Sequence, residues 1–301
     1  MKFVIAGAGG VGGIIGAGLA QAGHQVRWLA RGRNLAALRT AGLSVESPLG
    51  NFTLGPQQAS DDARELGAAD AVIVAVKLYD LGALAPALAP LAARETLLLP
   101  LQNGIEGHSI LAAALPHARV LKGMVVVKAA LPQPGRVVCK SGFVRIRMGG
   151  RPGLEPLVAA LNSGRGITAT VSPDIDGDVW RKFVMLASFS AVSCLARASI
   201  GQVLDNRQAF DLLLQAVAEA TSVAGALGVQ LPANPREIVE PQVKDLPREG
   251  KPSMLEDLEA GRPLELEFLS GTVVRLGREH AIPTPVHAMA CSALAMHTRR
   301  N

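Results

Sequence analysis

A glycine turn set between a strand and a helix at the start of the chain constrains the fold more than any other feature. Lys2-Phe3-Val4-Ile5-Ala6 is an apolar run long enough for one buried strand. Gly7-Ala8-Gly9-Gly10-Val11-Gly12 follows at once, and then Ile14, Ile15, Gly16, Leu19 and Ala20 recur at helical spacing. Strand, Gly-x-Gly-x-x-Gly and helix in that order make the fingerprint of a dinucleotide site. Gly7 permits the tight turn, Gly9 lets backbone approach a pyrophosphate, and Gly12 lets helix and strand pack closely. The helix N-terminus adds free N–H groups and the positive end of a dipole. Gly7, Gly9, Gly10 and Gly12 are therefore the expected cofactor-binding glycines.

The next strand selects the cofactor. Gln25-Val26-Arg27-Trp28-Leu29-Ala30 reads as the second strand, and an NAD site places Asp or Glu at its end to take the ribose 2′-hydroxyl. Here Arg31-Gly32-Arg33 follows, and the first carboxylate comes only at Glu46. A guanidinium pairs bidentately with a 2′-phosphate, so the expected cofactor is NADPH, with Arg31 or Arg33 reading the phosphate.

Two further strand ends carry the pattern onward. Ala71-Val72-Ile73-Val74-Ala75-Val76 is a continuous apolar run, as parallel strands covered on both faces are, and it stops at Lys77. Thr96 to Leu101 is another, ending at Gln102-Asn103-Gly104, and Val120 to Val127 reads as a further strand. Ligands bind at the carboxyl edge of an open parallel sheet, which places Lys77 and Asn103 beside the glycine turn as cofactor-site residues. Leu43 to Val45 and Phe52 to Leu54 read as a hairpin around Pro48 to Asn51. Arg136 to Cys139 and Phe143 to Met148 alternate, and are expected as antiparallel strands that complete the same sheet.

Beyond Ile167 to Val171 the strand signal ends, and Ser172-Pro173-Asp174 is the expected boundary. The chain thus divides into an α/β, Rossmann-type dinucleotide-binding domain over 1–172 and an all-α domain over 173–301. The second domain opens with Asp176-Gly177-Asp178 as a cap and a helix, Val179 to Leu195, that is apolar nearly all round and hence central. Lys182 lies within it, on one face with Leu186 and Ser190. Such a lysine either snorkels to the surface or faces a cleft with a lowered pKa useful for proton transfer. Ser253 and Glu256 have the spacing of a capping box, and Glu265 and Glu267 flank a helix start, where the dipole favours carboxylates.

Composition narrows the partners. Of 301 residues, 49% are hydrophobic and 18% charged, which describes a folded globular chain. A net charge of +5 from scattered basic residues suits anionic small molecules better than a nucleic-acid groove. No uncharged apolar run reaches the roughly 20 residues of a membrane span. Cys139, Cys194 and Cys291 lie far apart in no metal or redox spacing, and no leader precedes the first strand. A cytoplasmic protein without metal, membrane or nucleic-acid partner is the expectation.

Taken together, the glycine fingerprint, Val76-Lys77, Gln102-Asn103-Gly104, Trp180-x-Lys182 and Ser253-Met254-x-x-Asp257 followed by Glu265 resemble the ketopantoate reductases (2-dehydropantoate 2-reductases) over essentially the whole chain. The resemblance implies NADPH-dependent reduction of a 2-oxo acid to a 2-hydroxy acid, ketopantoate to pantoate in pantothenate biosynthesis, by a monomer or homodimer. It implies that Lys182 is the general acid and that Glu265 orients it. Ser253 and Asn103 would hold substrate, with Lys77 and Asn103 beside the nicotinamide. The family carries asparagines four and eight positions after the lysine, and here those substrate-site positions are Leu186 and Ser190. Gly250 stands where the family has an asparagine three residues before the serine. With those amides gone, the resemblance also accommodates a paralogue for a less polar 2-oxo acid, or a non-catalytic NADP-binding protein.

Overall fold

A computed structural model of the chain describes residues 1–244 and 246–298. In the first part of the chain the elements are β1 (Lys2–Ala6), α1 (Gly10–Gln21), β2 (Gln25–Leu29), α2 (Gly32–Thr40), β3 (Leu43–Glu46), β4 (Phe52–Leu54) and β5 (Ala59–Ser60). There follow β6 (Ala71–Val74), α3 (Leu78–Leu84), β7 (Leu97–Pro100), α4 (Gly107–Ala114), β8 (Arg119–Val120) and β9 (Lys122–Val126). This part closes with β10 (Ala129–Gln133), β11 (Arg136–Cys139), β12 (Val144–Gly149), α5 (Glu155–Ser163) and β13 (Ile167–Val171). The rest is helical: α6 (Ile175–Ala196), α7 (Ile200–Asp205), α8 (Arg207–Ala226), α9 (Pro235–Val243), α10 (Ser253–Glu259), α11 (Ser270–Glu279) and α12 (Pro285–Leu294).

These elements form two compact units. One holds residues up to Gln102 and Glu106–Ile175, and the other holds Asn103–Ile105 and the chain from Asp176 on. In the first, a six-stranded sheet runs β5-β2-β1-β6-β7-β8 with every pairing parallel. Its β6 and β7 are buried at every position, which is why Ala-Val-Ile-Val and Leu-Leu-Leu-Pro carry no polar residue. The strand order turns between β1 and β6, and an α/β sheet of this kind binds its ligand at that switch point. Helix α1 packs onto the sheet through small residues. A Cβ on Gly16 would collide with the ring of Trp28, which is fully buried.

Two expectations for this unit need correction. The strands at 136–139 and 144–149 do not complete the parallel sheet. Strand β11 joins a four-stranded sheet, β10-β11-β3-β4, lying antiparallel to β10 and parallel to β3, whereas β12 sits between β13 and β9 in a three-stranded sheet. The expected single strand over 120–127 is divided at Leu121. Its start, β8, ends the parallel sheet and its remainder, β9, pairs with β12. Alternation shows that one face of a strand is buried, but not which sheet buries it.

In the second unit α6 is the core element, contributing Phe183, Val184, Met185, Ala187, Phe189 and Val192 to one apolar cluster. Asp176 and Asp178 lie inside its first turn rather than ahead of it, where they meet the positive end of the helix dipole. The helix is long and apolar enough to cross a bilayer, yet 67% of its apolar window is buried within the fold. A buried carboxylate caps the start of another helix. Glu219, on α8, accepts the backbone N–H of Val286 at 3.0 Å and of His287 at 3.2 Å, satisfying donors that open α12. His287 is itself fully buried. Its Nε2 lies 3.1 Å from the Ala216 carbonyl, which can only accept, so Nε2 carries the proton and Nδ1 accepts from Ser270 Oγ at 3.1 Å.

Candidate active site

The glycine turn is built as its spacing requires. Gly7 has φ +107°, and a Cβ there would lie 2.7 Å from the Val76 backbone nitrogen, so only glycine takes this place between β1 and the end of β6. Gly12 packs so tightly that a Cβ would run into the Gly7 carbonyl. Gly9 is the N-cap of α1, with extended backbone and open space where a Cβ would point. Gly13 N–H returns to the Gly9 carbonyl at 2.7 Å, leaving the N–H groups ahead of it without an intrahelical partner. The first turn of α1 holds no acidic side chain. Open space, unpaired donors and a positive dipole end fit a pyrophosphate. Gly10 has a packing role besides its place in that turn: a Cβ would lie 2.5 Å from the Ala129 carbonyl of β10.

Arg31 is exposed and caps the N-terminus of α2, directly past β2, and Arg33 lies within that helix. The β2 edge is thus cationic at the position where a ribose-binding carboxylate is absent. Lys77 occupies the N-cap of α3 just beyond β6, in extended backbone and partly buried.

The second group of residues converges on Lys182. Its Nζ donates to Asn103 Oδ1 at 3.1 Å, joining residues 79 apart in the chain. Burial lowers the Lys182 pKa from the usual lysine range to about 8, and the charge of Glu265 acts in the opposite direction. Glu265 is only 3% exposed and precedes the short helical turn Leu266–Phe268. The lysine is partly buried and bonded to Asn103, and near neutral pH it holds a proton that it can readily give up.

The remaining expected residues divide. Leu186, one turn beyond Lys182 on α6, is partly buried. Ser190 is fully buried, and its hydroxyl has no hydrogen-bond partner. Gly250 closes a tight turn through its N–H to the Pro247 carbonyl at 2.7 Å, and a Cβ would lie 2.8 Å from that same carbonyl. Ser253 is not the N-cap of α10, and no capping box forms. Pro252, in extended backbone at φ −68° and ψ 152°, takes the cap, and Ser253 is the first helical residue, exposed to solvent. Proline is preset for those dihedrals, which moves the helix start one residue earlier than the serine signal implies. Sequence reasoning left one residue at the sheet edge without a role. Gln102, between β7 and Asn103, is 8% exposed and donates its amide to the Val74 carbonyl at 2.8 Å.

Comparison with known proteins gives a consistent picture. Residues 3–153 match the family model described as ketopantoate reductase PanE/ApbA, and residues 174–298 match its C-terminal counterpart. The uncharacterized oxidoreductase YkpB of Bacillus subtilis (strain 168) is 30% identical over 99% of both chains. The 2-dehydropantoate 2-reductase of Archaeoglobus fulgidus is 32% identical over 95% of this chain and 94% of its own. The crystal structure of a PanE/ApbA family ketopantoate reductase from Ralstonia eutropha JMP134 superposes with a TM-score of 0.90. It is 28% identical and covers 99% of this chain and 98% of its own.

Proposed function

The chain belongs to the ketopantoate reductase family, a pyridine-nucleotide-dependent oxidoreductase family, and we propose that it reduces a 2-oxo acid to the 2-hydroxy acid with NADPH. One arrangement carries the proposal: Lys182 Nζ held on Asn103 Oδ1 at 3.1 Å, its pKa lowered by burial and the shift countered by the charge of the buried Glu265. That set supplies a proton donor, an orienting acceptor and a balancing charge, which is what reduction of a carbonyl asks of the protein.

The turn Gly7, Gly9, Gly10 and Gly12 would hold the cofactor pyrophosphate, Arg31 its 2′-phosphate, and Lys77 and Asn103 its nicotinamide end. When bound, the cofactor supplies the hydride. Lys182 stabilises the negative charge that develops on the substrate oxygen and then donates its Nζ proton to that oxygen. Glu265 keeps the ammonium charged and oriented, and Ser253 holds the substrate.

Arg31 is exposed, so its pairing with the 2′-phosphate is worth the lower end of a charge-assisted hydrogen bond. Arg31→Ala is expected to weaken NADPH by about tenfold and to leave NADH within about twofold. Titration of cofactor fluorescence measures both constants, and equal losses would show that Arg31 does not read the phosphate.

Ketopantoate is the first substrate to test, with the reaction placed in pantothenate synthesis. The second reading, a paralogue for a less polar 2-oxo acid, is favoured by Leu186, the unpartnered buried Ser190 hydroxyl and the side-chain-free Gly250. A site built on amide contacts discriminates strongly when those partners are missing. Steady-state NADPH oxidation with ketopantoate and with 2-oxoisovalerate separates the two. Higher kcat/KM for ketopantoate supports the first, higher kcat/KM for 2-oxoisovalerate supports the paralogue, and cofactor binding with turnover of no acid would identify a non-catalytic NADP-binding protein.

A further inference from the structure

Gln102 is buried where β7 ends, and its amide is oriented by a single strong contact. Its Nε2 donates to the Val74 carbonyl at 2.8 Å, and the same carbonyl accepts the Leu101 N–H at 2.9 Å. Val74 is the last residue of β6. The segment it leads into, Ala75-Val76, is the backbone against which Gly7 packs. One carbonyl thus ties the end of β7 to the end of β6, beside the glycine turn. On the other side of the amide, Oε1 is buried and has no hydrogen-bond partner. It lies against the start of α4, where a Cβ on Gly107 would come within 2.8 Å of it. A buried, half-satisfied amide costs stability, so a purely structural site would favour an apolar residue of the same shape. The next residue in the chain is Asn103, whose Oδ1 accepts from Lys182 Nζ, and Gly104 follows at φ +94°.

We propose that Gln102 is a positioning residue for the reduction: by clamping the end of β7 to the Val74 carbonyl it fixes the backbone from which Asn103 reaches Lys182. This rests on the proposed role of Lys182. Gln102 acts through its chain neighbour Asn103, which accepts from Lys182 Nζ. A group that orients a catalytic donor is worth about 10²-fold in rate when it is misplaced by about 1 Å. Loss of the Asn103 acceptor also removes a hydrogen bond to the charged form of Lys182, which lowers its pKa further.

Two variants approach the amide from opposite sides. Gln102→Leu removes the clamp. Gly107→Ala keeps it but presses a methyl group onto Oε1, and the amide end of Gln102 is the part free to move. Gly107 is the first residue of α4, so the helix preference of alanine offsets the added crowding only in part, and Tm is measured beside kcat to show that the variant is folded. For both variants the expected result is a fall in kcat of about tenfold or more, with the NADPH Kd within about twofold of wild type. The Lys182 titration, followed by NMR of ¹³C-labelled lysine, should move to lower pH in both. The NMR readout needs no substrate. If Gln102→Leu does not fold, Gly107→Ala alone decides.

Wild-type kcat with an unmoved or raised Lys182 titration in the folded variants overturns the proposal. So does a parallel loss of NADPH binding, which would make Gln102 a prop of the glycine turn. The control is Lys182→Ala. If it retains turnover, the assignment of Lys182 fails; if it is inactive while the clamp variants have wild-type kcat, the inference about Gln102 fails by itself.

Discussion

Lys182→Ala is expected to lower kcat by about a thousandfold while NADPH binding stays within about twofold of wild type, because a positioned general acid contributes about 10²–10⁴ in rate. The glycine turn and Arg31, proposed to hold the cofactor, do not depend on this side chain. Stopped-flow hydride transfer and cofactor titration measure the two quantities separately. The pH profile supplies an independent check. With its pKa lowered to about 8, Lys182 is mostly protonated at pH 7 and loses its proton as the pH rises past that value. Turnover of the wild-type protein should therefore fall above about pH 8, about two units before an ordinary lysine would titrate. Near-normal turnover in Lys182→Ala, or a wild-type profile flat to pH 10, would remove the lysine from the mechanism.

The second large effect concerns stability. Burial lowers the His287 pKa from 6.5 to about 4, while its hydrogen bond to the Ala216 carbonyl acts the other way. In the folded protein His287 stays neutral between those values, whereas the unfolded chain takes up a proton there. Stability is then complete above pH 6.5 and is lost as the pH falls through the window towards 4. By pH 5 the loss amounts to about 2 kcal/mol. Glu219 opposes this in part, since burial raises its pKa and its protonation in the folded state favours folding at low pH. Urea unfolding at pH 7 and pH 5 measures the difference. A His287→Gln variant, less stable at pH 7, should lose the steep part of the dependence; an unchanged slope would place the acid sensitivity elsewhere.

The fold was legible where one local signal determined one structure. The glycine turn, the strands within the runs 71–76 and 96–101, which end at Val74 and Pro100, and the apolar helix around Lys182 all formed as their patterns require. What the residues did not reveal depends on partners distant in sequence. Arg136 to Cys139 alternates as a half-buried strand must, yet its parallel neighbour is β3, some ninety residues earlier in the chain. Nothing in the run itself names that partner. Ser253 followed by Glu256 has the spacing of a cap, but the proline before it already holds the extended dihedrals, so the helix starts from Pro252.

The site was legible in the same uneven way. Lys182 Nζ bonds to Asn103 Oδ1, a contact between residues 79 apart that neither segment announced, and Glu265 is buried with its charge acting on the lysine. The choice between a snorkelling lysine and an enclosed one needed the surrounding surfaces, which periodicity does not supply. Gln102 stood in the sequence only as part of Gln102-Asn103-Gly104, with no role of its own, because the proposed role depends on a carbonyl in β6 and on the missing Cβ of Gly107. A polar residue directly after an all-apolar strand was the available signal.

The packing of Trp28 against Gly16 has a practical consequence. The chain contains two tryptophans, and they are divided between the units: Trp28 in β2 of the first, Trp180 in α6 of the second, edge-on to Phe183. Each unit therefore carries its own intrinsic fluorophore. Replacing one indole at a time by phenylalanine yields a chain whose emission follows a single unit, so denaturation of the nucleotide-binding half and of the helical half can be watched separately without attaching a dye.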